Sequence, residues 1–159
     1  MTDGKHIAAG NRARASKWLL VAASLGSVFA AQVRIDQAAA RYVPGVTWSL
    51  KSVVKGDFSC SGRVGQAILG TTSKEIVVAI FLHGTSEAPE VIRDSVRDIR
   101  SAQLKVEGLD FDPKEDLGYV LEGFKRSRRC KGLNLSDGQI DSLHLYWDTV
   151  HRRFEGWSR

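Results

Sequence analysis

The hydrophobic period changes several times along the chain, and each change predicts an element. Trp18 to Ala31 is an uncharged, mostly apolar run that follows a basic stretch holding Lys5, Arg12, Arg14 and Lys17. Val33 to Tyr42 has helical composition, and Pro44-Gly45 stops it. From Val46 to Val54, Trp48 and Leu50 alternate with Thr47, Ser49 and Lys51, the period-two pattern of a half-buried strand. A turn is predicted over Gly56 to Gly65, a short apolar segment over Gln66 to Leu69, and a second turn over Gly70 to Lys74. Glu75 to Leu82 (EIVVAIFL) carries the strongest strand pattern. Its apolar run has no polar break, so both of its faces are expected to be covered.

Downstream the pattern is more divided. Ile92, Val96 and Ile99 fall at helical spacing and Pro89 suits a first turn, so Ala88 to Gln103 leans to helix, although Glu90 to Val96 also fits an edge strand. Gln103 to Phe111 alternates as a strand and Pro113 stops it; Leu117 to Lys125 is a further strand candidate, broken by Gly118 and Gly123. Ser142 to Trp147 and Arg153 to Trp157, joined by a turn over Asp148 to Arg152, predict a hairpin. The fold class that follows is α+β: an antiparallel-rich sheet in a single domain over 46–159, with a helical lead over 31–45.

The leader sets the compartment. Positive charge, a short apolar core and small residues around Val28-Phe29-Ala30 are the layout of a signal peptide over 1–30, cut after Ala30. The alternative is a short, uncleaved inner-membrane anchor with its basic end in the cytoplasm; the run is brief for a span of about 20 residues. Either way the domain is expected outside the cytoplasm, periplasmic or secreted, and the membrane is touched only through this segment. Two cysteines in such a domain predict a Cys60–Cys130 disulfide. Closing a loop of that length stabilises by roughly 4 kcal/mol in the chain-entropy model.

Charge narrows the partners. Four of the 23 Lys/Arg and one of the 18 Asp/Glu lie in residues 1–30, which leaves 19 cations against 17 anions. So balanced a domain argues against nucleic acid. The exception is Lys125 to Lys131, read as a solvated turn, whose Arg128 and Arg129 are candidates for contact with an anionic partner.

Four groups invite chemistry. In Gly56-Asp57-Phe58-Ser59-Cys60-Ser61-Gly62, oxygen-bearing residues alternate ahead of a glycine, as at the start of a calcium loop. The stretch from Trp48 to Leu69 resembles the calcium loop of FG-GAP/VCBS-type repeats. That resemblance implies Asp57, Ser59 and Ser61 as metal ligands and Gly62 as the turn glycine. Gly65 stands where the family has its last acidic ligand, so the loop reads as a degraded calcium site, held by Cys60 instead of a metal. Asp141, His144, Asp148 and His151 would form a metal cluster on a helix, but the alternation of Leu143, Leu145 and Trp147 makes the segment a strand and scatters them. On that strand His144 and Tyr146 are expected on an exposed face, as candidates for partner binding. His83, beside Gly84-Thr85-Ser86, is the remaining candidate general base, with no G-x-S-x-G elbow near it; Glu87, Glu90 and the acidic Asp110–Asp116 segment are candidate carboxylates.

The block from Cys130 to Asp141, with the SLHLYW strand and the C-terminal Gly156-Trp157-Ser158-Arg159, also resembles exported proteins of Gram-negative bacteria. The functional expectation is a non-catalytic exported domain that binds a protein or glycan of the cell envelope, without a cofactor. The alternative is a small envelope hydrolase that uses His83 or His144 with a nearby carboxylate.

Overall fold

A computed structural model describes residues 35–95, 99–137 and 142–158. The expected signal segment over 1–30 lies outside them, as do Asp141 and Val96.

The unbroken apolar run forms β4 (Ile76–Phe81), in which all six residues are buried. It pairs antiparallel with β3 (Gly65–Thr71) on one side and with β5 (Glu90–Asp94) on the other. β1 (Thr47–Trp48) and β2 (Val54–Gly56) pair in succession along the free edge of β3. Four further antiparallel strands, β6 (Gln103–Leu109), β7 (Ser127–Ser136), β8 (Leu143–Asp148) and β9 (Arg153–Trp157), build a second sheet in chain order.

Side-chain alternation assigns each face. Ala67, Leu69, Ile76, Val78 and Ile80 of the first sheet meet Leu104, Leu133, Leu135, Leu145 and Phe154 of the second in the central core. The opposite face of the first sheet, carrying Ile68, Ala79 and Phe81, is covered by the helical segment α1 over 35–42. Its Ile35, Ala38 and Ala39 fall at the i, i+3, i+4 spacing of one helix face. Gly45, at φ +79°, turns the chain away just beyond Pro44. The outer face of the second sheet is covered by a strap over 110–126, which contributes Phe111, Leu117, Leu121 and Phe124 to a third core with Leu109, Tyr146 and Trp157. Its one helical turn, α2 (Pro113–Asp116), is capped by the Asp112 side chain, which accepts from the amides of Lys114 and Glu115.

Three expectations are corrected. The segment that leaned to helix, 88–103, contains the strand β5 and a 3-10 turn (Ile99–Ser101). Pairing with β4 decides it, because Ile92 then reaches the central core while Val91 and Arg93 face outward. The strand expected over 46–54 is broken by a 3-10 turn (Leu50–Ser52), which leaves Leu50 exposed. Ser52 makes the break tolerable: its hydroxyl accepts from the Leu69 amide at 2.9 Å in place of a ladder partner. The strand candidate over 117–125 is instead irregular strap, turned by Gly118 and Gly123 at φ +83° and +65°.

Cys60 and Cys130 form the expected disulfide, with Cα atoms 4.9 Å apart. The geometry rests on a bulge. The β6–β7 register runs from Gln103↔Ser136 to Gly108↔Lys131 and then jumps to Leu109↔Ser127. Residues 128–130 therefore leave the ladder, and the Ser127 hydroxyl accepts from the Arg129 and Cys130 amides within it. One residue on, the Lys131 amide donates to the Asp57 carbonyl at 3.0 Å, so a main-chain bond and the disulfide stitch the two sheets together. The disulfide places the domain in an oxidising, non-cytoplasmic compartment, and no helix among the described residues is long and apolar enough to cross a membrane.

Replacing both cysteines by alanine is expected to lower unfolding stability by about 4 kcal/mol, read as a shift of the denaturant midpoint relative to the oxidised protein. A loss under about 1 kcal/mol would show that the unfolded chain is not restrained by this loop.

Candidate functional site

Three loops meet at one end of the sandwich. The first is the 57–64 connection between β2 and β3, the second leads from β4 to β5, and the third is the β8–β9 turn. They enclose a cleft of about 700 Å³ whose lining includes Ser59, Ser61, His83, Glu87, Trp147 and Arg152, with Cys60 in its wall and Ile80 behind. The volume falls in the usual range for a ligand pocket.

The first loop is organised by Asp57. Its two carboxylate oxygens accept from the amides of Ser61 and Gly62, at 3.0 and 2.8 Å. Ser59 Oγ donates to Ser61 Oγ at 2.9 Å, and Cys60 takes a left-handed conformation (φ +57°) to reach its partner. The three residues expected as calcium ligands are thus brought together, but Asp57 spends both oxygens on the loop's own backbone. Among the described residues no group of three or more His, Cys, Asp or Glu is placed to hold a metal ion. Gly65 shows why an acidic residue does not fit there: a Cβ on it would lie 2.8 Å from the Phe81 carbonyl oxygen and 3.3 Å from the Phe58 ring.

The second loop carries His83, which is exposed at the cleft with Glu87 and Glu90 among its neighbours in the lining. Its base is held to α1, where the Tyr42 hydroxyl donates to the Ser86 carbonyl at 2.7 Å.

The third loop is held by Asp148, a carboxylate only 1% exposed. One oxygen accepts from the Val150 and His151 amides at 2.7 and 3.0 Å, and the other meets His151 Nδ1 at 2.6 Å. Burial pushes the Asp148 pKa up, but the amide and ring of His151 with the amide of Val150 outweigh it and hold it below its ordinary value of 3.8. The carboxylate in turn raises His151 above 6.5 by hydrogen bonding and by its charge. Gly123 of the strap lies against the same carboxylate so closely that no side chain fits there, and its carbonyl accepts from the Thr149 amide at 3.0 Å. Asp148 and His151, two of the four residues considered as a metal cluster, are therefore a turn lock.

His144 and Tyr146 are not on an open face, which corrects that expectation. Tyr146 is 4% exposed beneath the strap, and its hydroxyl donates to the Glu122 carbonyl at 2.8 Å. Burial first, and then the charge of Asp148, push its pKa up to about 12. His144 stacks on Trp157 (centroids 4.8 Å apart, planes at 15°), while its Nδ1 meets Glu107 at 2.8 Å and Asn134 at 3.3 Å. It is the only sequence candidate for a base found in contact with a carboxylate from another strand among the described residues. The strap that hides this face lacks periodicity, so alternation along β8 alone does not foretell it.

Arg128 and Arg129 sit in the β7 bulge, not in a free turn. Arg128 and Arg126 both donate to Asp110, at 2.9 and 3.2 Å, and these bonds hold the Asp110 carboxyl below its usual range. Arg129 extends outward, exposed. Trp147 and Arg152 were missed by sequence reading: Trp147 looked like core, and Arg152 looked like turn filler. Trp147 does pack edge-on against Phe154 at 5.4 Å, yet it also forms part of the cleft wall.

Two predictions follow from these loops. Gly65→Asp, which would restore an acidic ligand, is expected to lower the melting temperature and to gain no stability from millimolar calcium; calcium-dependent recovery in a thermal melt would reverse that conclusion. The Asp148–His151 pair stabilises fully between the ordinary carboxylate value of 3.8 and the ordinary imidazole value of 6.5. Its contribution falls as acid protonates Asp148 below that window, and again as His151 loses its proton above it. The melting-temperature difference between the wild type and His151→Ala is therefore expected to be largest near pH 5–6 and to shrink through pH 8; a pH-independent difference would refute the coupling. No protein-family model, curated protein or solved structure matches this chain.

Proposed function

We propose that the chain is an exported, non-catalytic domain, periplasmic or secreted, that binds a protein or glycan of the cell envelope in the cleft at the sandwich end. The single observation that carries this reading is the construction of that cleft. Its lining offers carboxylates, an imidazole, a guanidinium, hydroxyls and an indole, a mixture suited to hydrogen-bonded recognition. One wall is covalently fixed to the second sheet through Cys60–Cys130, and another is locked by Asp148, so little order has to be gained on binding. The oxidised bridge supports export, and the basic-then-apolar leader supports a signal segment cut after Ala30. The Asp57 loop is read as a relic of the FG-GAP/VCBS calcium loop, its metal function replaced by the amide bonds of Asp57 and by the disulfide.

The second reading, an envelope hydrolase, is favoured by one fact: His83 shares the cleft with Glu87 and Glu90. Against it, the hydroxyls of Ser59 and Ser61 are bonded to each other, not to an imidazole. His144, the other candidate base, is not in the cleft lining; it is stacked on Trp157 with its Nδ1 against Glu107 and Asn134.

The test is capture from envelope extract with the oxidised protein, beside Glu87→Lys and Arg152→Glu. A specific partner retained by the wild type and lost at least tenfold in both variants, with unchanged melting temperatures, is expected. Hydrolysis of ester, peptide or glycoside substrates that His83→Ala abolishes would replace the binding reading with the enzymatic one.

A further inference from the structure

The basic run over 125–131 takes no part in the larger cleft at the sandwich end, whose lining holds none of its residues. Two of its side chains are oriented by a single carboxylate. Arg126 Nε donates to Asp110 Oδ1 at 3.2 Å, and Arg128 Nε donates to Asp110 Oδ2 at 2.9 Å. Asp110 thus holds side by side two guanidinium groups that would otherwise repel each other. Each spends only its Nε on this bond. The Nη groups of both have no hydrogen-bond or ionic partner among the described residues, and the two side chains are 59% and 89% exposed.

Two positive charges on one negative charge leave the clamp cationic. Lys125 and Arg129, both exposed, flank it in sequence, and neither meets a carboxylate among the described residues. Of the acids in α2, Asp112 accepts from the amides of Lys114 and Glu115, and Asp116 accepts from the Asp112 amide. The main chain under the arginines is fixed. Residues 128–130 leave the β6–β7 ladder as a bulge, which the Ser127 hydroxyl and the Cys60–Cys130 bridge pin in place.

The strap adds an apolar companion. Val120 and Arg126 border the same small depression of about 200 Å³. Val120 is 73% exposed and Tyr119, next to it, 47%. Guanidinium groups with unengaged Nη atoms suit phosphate oxygens. An exposed aliphatic side chain and an aromatic one beside them suit the boundary between headgroups and acyl chains. A soluble phosphate ester would use the arginines and leave Val120 and Tyr119 without a role.

We propose that the patch made by Arg126, Arg128 and the Tyr119–Val120 tip of the strap docks on a membrane surface rich in anionic phospholipid, a contact separate from the leader over 1–30.

Flotation of the exported, oxidised protein with vesicles tests this. Vesicles of phosphatidylcholine alone set the baseline, and others carry phosphatidylglycerol as about one third of their lipid. A cation close to an anionic surface contributes about fivefold in affinity. Binding to the anionic vesicles is expected to exceed the baseline by about tenfold or more and to be lost in about 1 M salt. Arg126→Gln combined with Arg128→Gln should weaken it by roughly 25-fold at an unchanged melting temperature, since both ion pairs are exposed. Val120→Ser should weaken it as well. The same charge change at Lys51 and Lys74, outside the patch, should have little effect, and millimolar glycerol phosphate should not compete. Equal binding to neutral vesicles, indifference to the arginine pair or to Val120→Ser, or an equal loss in the lysine pair would each overturn the proposal. Full competition by glycerol phosphate would assign the arginines to a soluble phosphate ester and overturn it too. Glu87→Lys leaves this patch intact, so loss of the envelope partner and loss of vesicle binding are separable results.

Discussion

A strand with no polar side requires cover on both sides. β4 has six consecutive buried residues, so water must be kept from two faces at once, and the layers follow from that demand. Ile76, Val78 and Ile80 need a second sheet; Ala79 and Phe81 are matched to the helix over 35–42, and Val77 is buried on the same side of the strand. The second sheet then presents an outer face with Tyr146 and Trp157, and the strap over 110–126 closes over it. Four layers thus arise in turn from one apolar run.

What joins the layers is local and polar. The bulge at 128–130 brings Cys130 to the Asp57 loop, and Asp148 ties the last turn to the strap through Gly123 and Thr149. These joints lie at the end of the sandwich where the larger cleft opens. The cleft therefore inherits its shape from contacts that serve folding, and the side chains facing its interior, such as His83, Glu87 and Arg152, are not needed to keep it open.

The parts of this arrangement that could be read in the sequence are those whose cause is local. The β4 run, the β8–β9 hairpin, the helical lead and the cysteine pair each carry their own signal. Ile92 misled because its spacing to Ile99 suits a helix, while pairing with Val78 across the ladder decides the matter. His144 and Tyr146 alternate as surface residues should, but the upstream strap, bringing Phe124, covers Tyr146, and the Trp157 ring stacks on His144. The cleft at the sandwich end was not readable: it is assembled from segments far apart in the chain, and Trp147 gains its meaning from neighbours that no local window contains.

Cys60 and Cys130 stand 70 positions apart in sequence, and between them the strap exposes Tyr119 and Val120 at 47% and 73%. A protease working outside the cytoplasm would meet the chain there first. A cut at that point severs the polypeptide without dividing the molecule, because both new ends remain on pieces that share the sulfur link. The protein can therefore persist as a nicked, two-chain species in surroundings where an unbridged sandwich of the same sequence would be lost once it was cut.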